Sequence, residues 1–190
     1  MKTLILGMGN TLLSDDGIGI ITKRFLERQL AHSYNIDFCE TSWGGFRIID
    51  LLKGYDYAII VDSIKTNSKE PGYIHHLRPT DLLPTLRLTS YHDINFITAL
   101  KLAEELNEKV PSSIDIYAME IDDNLTICES INSSLWNSVI ECSAYVLDLL
   151  IKHNIVSPDK KIIPPLNTGE LLNELYSEEY ETDYADTSNN

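Results

Sequence analysis

Positive charge is scarce in this sequence. Of 190 residues, 15 are Lys or Arg against 29 Asp or Glu, which leaves a formal net charge of -14 and a pI near 4.6. Nucleic-acid backbones and anionic membrane surfaces both need clustered cations, so neither is expected as a partner. The imbalance is steepest in residues 170–190, where Glu170, Glu174, Glu178, Glu179, Glu181, Asp183 and Asp186 meet no Lys or Arg and make up half of the net charge.

Cysteine is equally sparse. Cys39, Cys128 and Cys142 are odd in number, widely spaced and form no C-x-x-C pair. A disulfide framework or zinc knuckle is therefore not expected, and a cytoplasmic setting is. The longest aliphatic stretches run to a few residues, such as Ala58-Ile59-Ile60-Val61, well short of a membrane span. Residues 1–6 imitate a signal peptide for one turn, but Asn10 and Asp15-Asp16 interrupt the pattern and no small-residue cleavage site follows. The chain has no H-E-x-x-H helix and no Ser-His-Asp order, which disfavours a conventional zinc or serine peptidase.

What is present is 43% hydrophobic residues, enough for a sizeable core in one domain with an appendage. Residues 3–6 read as a short buried strand stopping at Gly7. A helix opens at Gly17, with Ile18, Ile21, Thr22, Phe25 and Gln29 on one face. Further strands are expected at 36–39, 57–61, 73–77 and 114–119, and helices at 46–52, 93–106 and from Ile131 to Leu149. Alternating strands and helices imply βαβ units and a mainly parallel sheet. Strand 73–77 follows its predecessor without a helix, so it is expected to run antiparallel. Beyond about residue 153 the pattern changes. Pro158, Pro164 and Pro165 punctuate a linker, and Leu172, Tyr176, Tyr180 and Tyr184 recur every four residues. That reads either as a mostly mobile tail or as a short helix with an aromatic stripe that must dock. The domain reading is 1–153 for the main unit and 154–190 for an acidic extension.

Three positions stand out for chemistry. Gly7-Met8-Gly9-Asn10-Thr11-Leu12 begins like a dinucleotide fingerprint but has Leu12 at the third glycine, and Glu40 is only a weak ribose acceptor. Asp15 and Asp16 stand where a pyrophosphate would approach a helix, which is wrong for an anion and suits a cation or a polarised carbonyl. Asp62 closes a buried strand, where open sheets bind ligands. His92 opens a later helix, whose N-terminus favours the neutral imidazole that coordination requires. Each has a plainer reading: Ser14 or Asp15 as a helix cap, Asp62 as a loop residue bonding nearby N–H groups, His92 as a surface or capping histidine. His75 and His76 are adjacent in a strand, point to opposite faces and cannot chelate one ion together. Two carboxylates and one imidazole at one rim would make an incomplete metal site, open to a partner's ligands.

The segment Gly7-Met8-Gly9-Asn10-Thr11-Leu12-Leu13-Ser14-Asp15-Asp16-Gly17-Ile18-Gly19, then Val61-Asp62, then Ser90-Tyr91-His92, resembles the NiFe-hydrogenase maturation endopeptidases over roughly residues 1–150. The resemblance implies a three-layer α/β/α fold, phosphorylase/hydrolase-like, around a mixed, mostly parallel five-stranded sheet. It implies an endopeptidase, a hydrolase that removes the C-terminal extension of the hydrogenase large-subunit precursor once nickel is inserted. Asp16, Asp62 and His92 carry over as the metal-binding and catalytic positions, with nickel presented by the substrate rather than held by the enzyme. Where that family has a glycine-rich segment after the second strand, this chain has Glu40-Thr41-Ser42-Trp43-Gly44-Gly45. The competing expectation is a non-catalytic, flavodoxin-like binding module or a metal-dependent maturation chaperone.

Overall fold

The apolar runs become the middle of a sheet. In the computed structural model, which describes residues 1–30, 35–44, 46–81 and 96–177, the wholly buried stretch Thr3–Met8 forms β1. It leads through a 3-10 turn, Ser14–Gly17, into α1 (Ile18–Gln29). Then come β2 (Ile36–Thr41), α2 (Phe46–Leu52), β3 (Tyr57–Ile64), β4 (Ile74–Leu77), α3 (Phe96–Glu105), β5 (Ser113–Glu120), α4 (Trp136–Lys152) and α5 (Thr168–Ser177).

The strand order is β2-β1-β3-β5-β4. The first four are parallel, and β4 runs antiparallel to β5, as the missing crossover helix requires. Odd residues of β1 and β3, such as Ile5, Ile59 and Val61, pack with α1 and α4. Even residues, such as Leu4, Leu6, Ala58 and Ile60, pack with α2 and α3. The fold is thus a mixed five-stranded sheet with helices on both faces.

Two strands run further than their apolar runs. β1 continues through Gly7 and Met8 because β2 offers Glu40 and Thr41 as partners. β3 continues through Asp62, Ser63 and Ile64 because β5 extends beside it to Glu120. Asp62 therefore lies inside a strand rather than after it. Helix α3 starts at Phe96, and residues 93–95 of the expected helix lie outside the described residues.

The stretch Ser133–Lys152 is long and apolar enough to cross a membrane by length and composition alone, although polar residues interrupt its aliphatic runs. Its apolar stripe Val139, Cys142, Val146 and Leu150 is wholly buried in the core, as for a central helix of a globular domain. Helix α5 adds Leu175 to that same core. Of the four-residue stripe, Leu172 and Tyr176 pack against the core, while Tyr180 and Tyr184 lie outside the described residues.

Candidate active site

Topology fixes where a site can form. Strand β1 is flanked by β2 on one side and β3 on the other, with α1 and α2 leaving on opposite faces. The carboxyl ends of β1 and β3 therefore border a switch-point crevice. The two acids singled out, Asp16 and Asp62, belong to those two strand ends.

Gly19 allows the approach. A β-carbon there would stand 2.5 Å from the Val61 carbonyl oxygen, nearer still to that of Met8, and 3.0 Å from the Asp62 Cα. The first turn of α1 is thereby seated on the tips of both strands. Gly9 has φ +146, and a β-carbon on it would collide with the Asp16 carbonyl oxygen.

The neighbouring acids Asp15 and Asp16 divide the work. Asp15 accepts from the backbone N–H of Asn132 at 2.7 Å and of Asp123 at 3.3 Å. Its own N–H donates to the Asp123 carbonyl, and the Ser14 N–H donates to that of Cys128. Asp15 thus stitches the first loop to the 123–132 segment. Neither Ser14 nor Asp15 caps a helix: Leu13 precedes the 3-10 turn and Gly17 precedes α1, each without a side-chain cap. Asp16 turns the other way. It is 1% exposed, and its Oδ1 accepts from the Ser63 hydroxyl at 3.0 Å. It lines a cavity of about 280 Å³ together with Ser63, Ile64, Lys65, Asn67, Ile121 and Asn124.

Asp62 is fully buried, and its Oδ1 accepts from the Ser63 N–H at 2.8 Å. By strand alternation it belongs to the face of Ala58 and Ile60, while Ser63 belongs to the face of α1. The two carboxylates so approach the tip of β3 from its two faces, joined through Ser63. The third position, His92, lies outside the described residues. Among the described residues no three His, Cys, Asp or Glu side chains converge to hold an ion. Asp16 and Asp62 are a hard, oxygen-only pair that needs further donors to bind a transition metal.

Other marked residues are structural. His75 and His76 leave β4 on opposite faces, each met by its own carboxylate: His75 Nε2 lies 3.1 Å from Glu120 and His76 Nε2 lies 2.7 Å from Asp115. Glu40 is no ribose acceptor, because Arg24 grips both its oxygens at 2.5 and 2.9 Å and Lys23 stands at 3.3 Å.

Sequence reading missed Ser63 and Glu120. Glu120 ends β5 as Asp62 nears the end of β3, so the strand-end rule that flagged one would have flagged the other. It accepts from Thr66 N–H at 2.6 Å, Thr66 hydroxyl at 2.8 Å and Asn67 N–H at 2.8 Å, and so fixes the loop that forms one wall of the cavity. Burial alone would push this carboxyl up. The bonds from Thr66, His75 and Asn67 outweigh that and hold it below its ordinary value.

With this geometry in hand, comparison with known proteins is decisive. Residues 21–140 match the family model described as hydrogenase maturation protease. The chain belongs to this family. Asp62 and His92 fall within the matched segment and Asp16 just before it. The hydrogenase 2 maturation protease of Escherichia coli K12 is 27% identical over 115 residues, spanning 58% of this chain and 70% of that protein. The hydrogenase expression/formation protein HupD of Thiocapsa roseopersicina is 26% identical over 126 residues, 64% of this chain and 57% of that protein. Among solved structures, the hydrogenase maturating endopeptidase HybD from E. coli superposes with a TM-score of 0.66 at 22% identity, covering 80% of this chain and 94% of that one. The maturation protease HycI from Thermococcus kodakarensis gives 0.58 at 17% identity, covering 79% and 92%. These structural likenesses carry the fold. Family membership makes the chain a hydrolase acting on a peptide bond, and the reading as a non-catalytic binding module or chaperone gives way to it.

Proposed function

We propose that this hydrogenase maturation protease acts in the cytoplasm on the precursor of a NiFe-hydrogenase large subunit, and removes its C-terminal extension after nickel has been inserted. Asp16, Asp62 and His92 recognise the nickel that the precursor presents, by filling its open coordination positions. The observation that supports this most is that Asp16 and Asp62 both bond Ser63 at the tip of β3, one through its hydroxyl and one through its N–H. Both carboxylates are buried and bonded to Ser63, Asp16 and Ser63 line a cavity of about 280 Å³, and two carboxylates alone are an incomplete donor set for a transition metal. An incomplete donor set suits a metal that arrives with the substrate. It also gives the gate its physical basis, since only differential affinity for loaded and empty precursor is needed.

In the hydrolysis itself, one aspartate takes a proton from the attacking water. The aspartate then returns that proton to the peptide nitrogen, which leaves as the new amine, and the other half keeps the water's oxygen as a carboxylate. Nickel carried by the precursor and met by Asp16, Asp62 and His92 would supply the positive charge that polarises the scissile carbonyl. The surroundings suit a polypeptide substrate. Leu12, Trp43, Leu125 and Ile127 are exposed apolar side chains on the loops at this end of the sheet. Leu12 and Ile127 are neighbours in register beside the Leu13–Cys128 bridge. Exposed apolar side chains at this end of the sheet are what a docking protein needs.

The test is a mass measurement on purified precursor before and after incubation with the enzyme. Nickel-loaded precursor should lose one defined C-terminal fragment and nickel-free precursor should stay intact. Asp16→Ala, Asp62→Ala and His92→Ala should each abolish the loss. Equal cleavage of empty precursor would remove nickel from recognition, and full activity in any one variant would remove that residue from the mechanism.

A further inference from the structure

The family match ends at residue 140, so nothing in it accounts for α5. The segment leading to α5 is tied to the far end of α1: the Gln29 side chain accepts from the Ile163 N–H at 3.1 Å and donates to its carbonyl at 3.3 Å. From there the chain runs back along α1 toward its start. Arg24 donates to the Leu175 carbonyl at 2.5 Å, and Leu175 is wholly buried. One residue later the Tyr176 hydroxyl, itself buried, stands 3.3 Å from where a β-carbon on Gly17 would lie. Gly17 directly follows Asp16 and closes the 3-10 turn that carries it. Thr11 and Asn10 border Gly17 as well, so the turn is wedged between the first loop and the end of α5.

We propose that the hydroxyl end of Tyr176 is a positioning element of the peptidase: it backs Gly17 and thereby holds the Asp16 carboxylate against Ser63 and the cavity. The C-terminal segment is then part of the active-site scaffold rather than an inert appendage. This rests on the assignment of Asp16 to the reaction made above. Slack of a fraction of an ångström in a reacting group is enough to slow chemistry while leaving substrate docking intact.

The experiment compares Tyr176→Leu, Tyr176→Phe and Asp16→Ala in cleavage of nickel-loaded precursor, at a temperature where each is folded by circular dichroism. Leu keeps apolar bulk in the core but does not reach Gly17; Phe keeps the ring and removes only the hydroxyl that stands beside Gly17. Tyr176→Leu should lower kcat by about tenfold or more with KM within about twofold, and speed hydrogen exchange of the Asp16 and Gly17 amides. Tyr176→Phe removes the hydroxyl oxygen beside Gly17 and should lower kcat by a smaller factor, about threefold, with KM again little changed. Wild-type kcat in folded Tyr176→Leu or in folded Tyr176→Phe would overturn the brace. Inactive Asp16→Ala beside fully active Tyr176→Leu would remove the brace alone. An active Asp16→Ala would remove the assignment of Asp16 and the brace with it.

Discussion

Replacing Gly19 by alanine sets two opposing effects against each other. Alanine is the better helix former by about 1 kcal/mol. Its methyl, however, would stand 2.5 Å from the Val61 carbonyl oxygen and closer to that of Met8, with the Asp62 Cα at 3.0 Å. These are backbone atoms of two central strands, so no side chain can swing aside. Ordinary contact needs about 3.5 Å, and the first turn of α1 must retreat by roughly 1 Å. Forced overpacking of this kind costs about 3 kcal/mol, the upper part of the usual range, because the neighbours are rigid. The net loss is then about 2 kcal/mol, a factor of about 30 in the folded-to-unfolded ratio. The same retreat carries Asp16 away from Ser63, so cleavage should fall by about 100-fold even in the folded fraction. Urea unfolding monitored by tryptophan fluorescence measures the first effect, since Trp136 is buried beside Phe25. A Gly19→Ala protein as stable as the parent would refute the close approach and the site geometry built on it.

Arg24→Ala should destabilise by about 3 kcal/mol in urea, because it strips the partly buried Glu40 carboxylate of its bidentate partner and releases the buried Leu175 carbonyl. Glu174→Ala removes only an exposed pair with Arg28 and should cost less than about 0.5 kcal/mol. Leu175→Ala opens a cavity at a wholly buried position and should cost about 3 kcal/mol. Glu120 has a depressed carboxyl, so its stabilisation is complete above the ordinary value near 4.5 and is lost as pH falls through the lower folded value. Amide exchange at Thr66 and Asn67 should accelerate over that acid range in the parent, whereas Glu120→Gln should exchange fast at neutral pH and show a flatter profile.

Much of the fold is legible in the sequence because its signals are local. The buried runs of β1 and β3, the glycines around the first turn and the stripe of α1 each announce themselves within a dozen residues. Strand 74–77 is legible as antiparallel because the loop before it is too short for a crossover. What sequence does not reveal depends on partners distant along the chain. Asp15 and Asp16 are chemically identical neighbours, and only the Asn132 and Asp123 amides decide which becomes structural. Ser63 acquires its role because alternation turns it toward a residue 47 positions earlier. The four-residue stripe of the C-terminal segment points to Leu172 and Tyr176, yet Leu175 is the residue most deeply buried, because α5 meets α1 through its last turn.

The sheet's two margins have a consequence for how a visiting chain can enter. On one flank, β4 is four residues long and carries a clasped histidine on each face. On the other, β2 presents Asp37, held by Tyr55 and Lys2, and Glu40, held by Arg24 and Lys23. Brevity and fixed charge both deter a foreign strand from annealing sideways. A polypeptide to be cut must therefore come in lengthwise over the strand tips, and selection among incoming chains falls to the loops there.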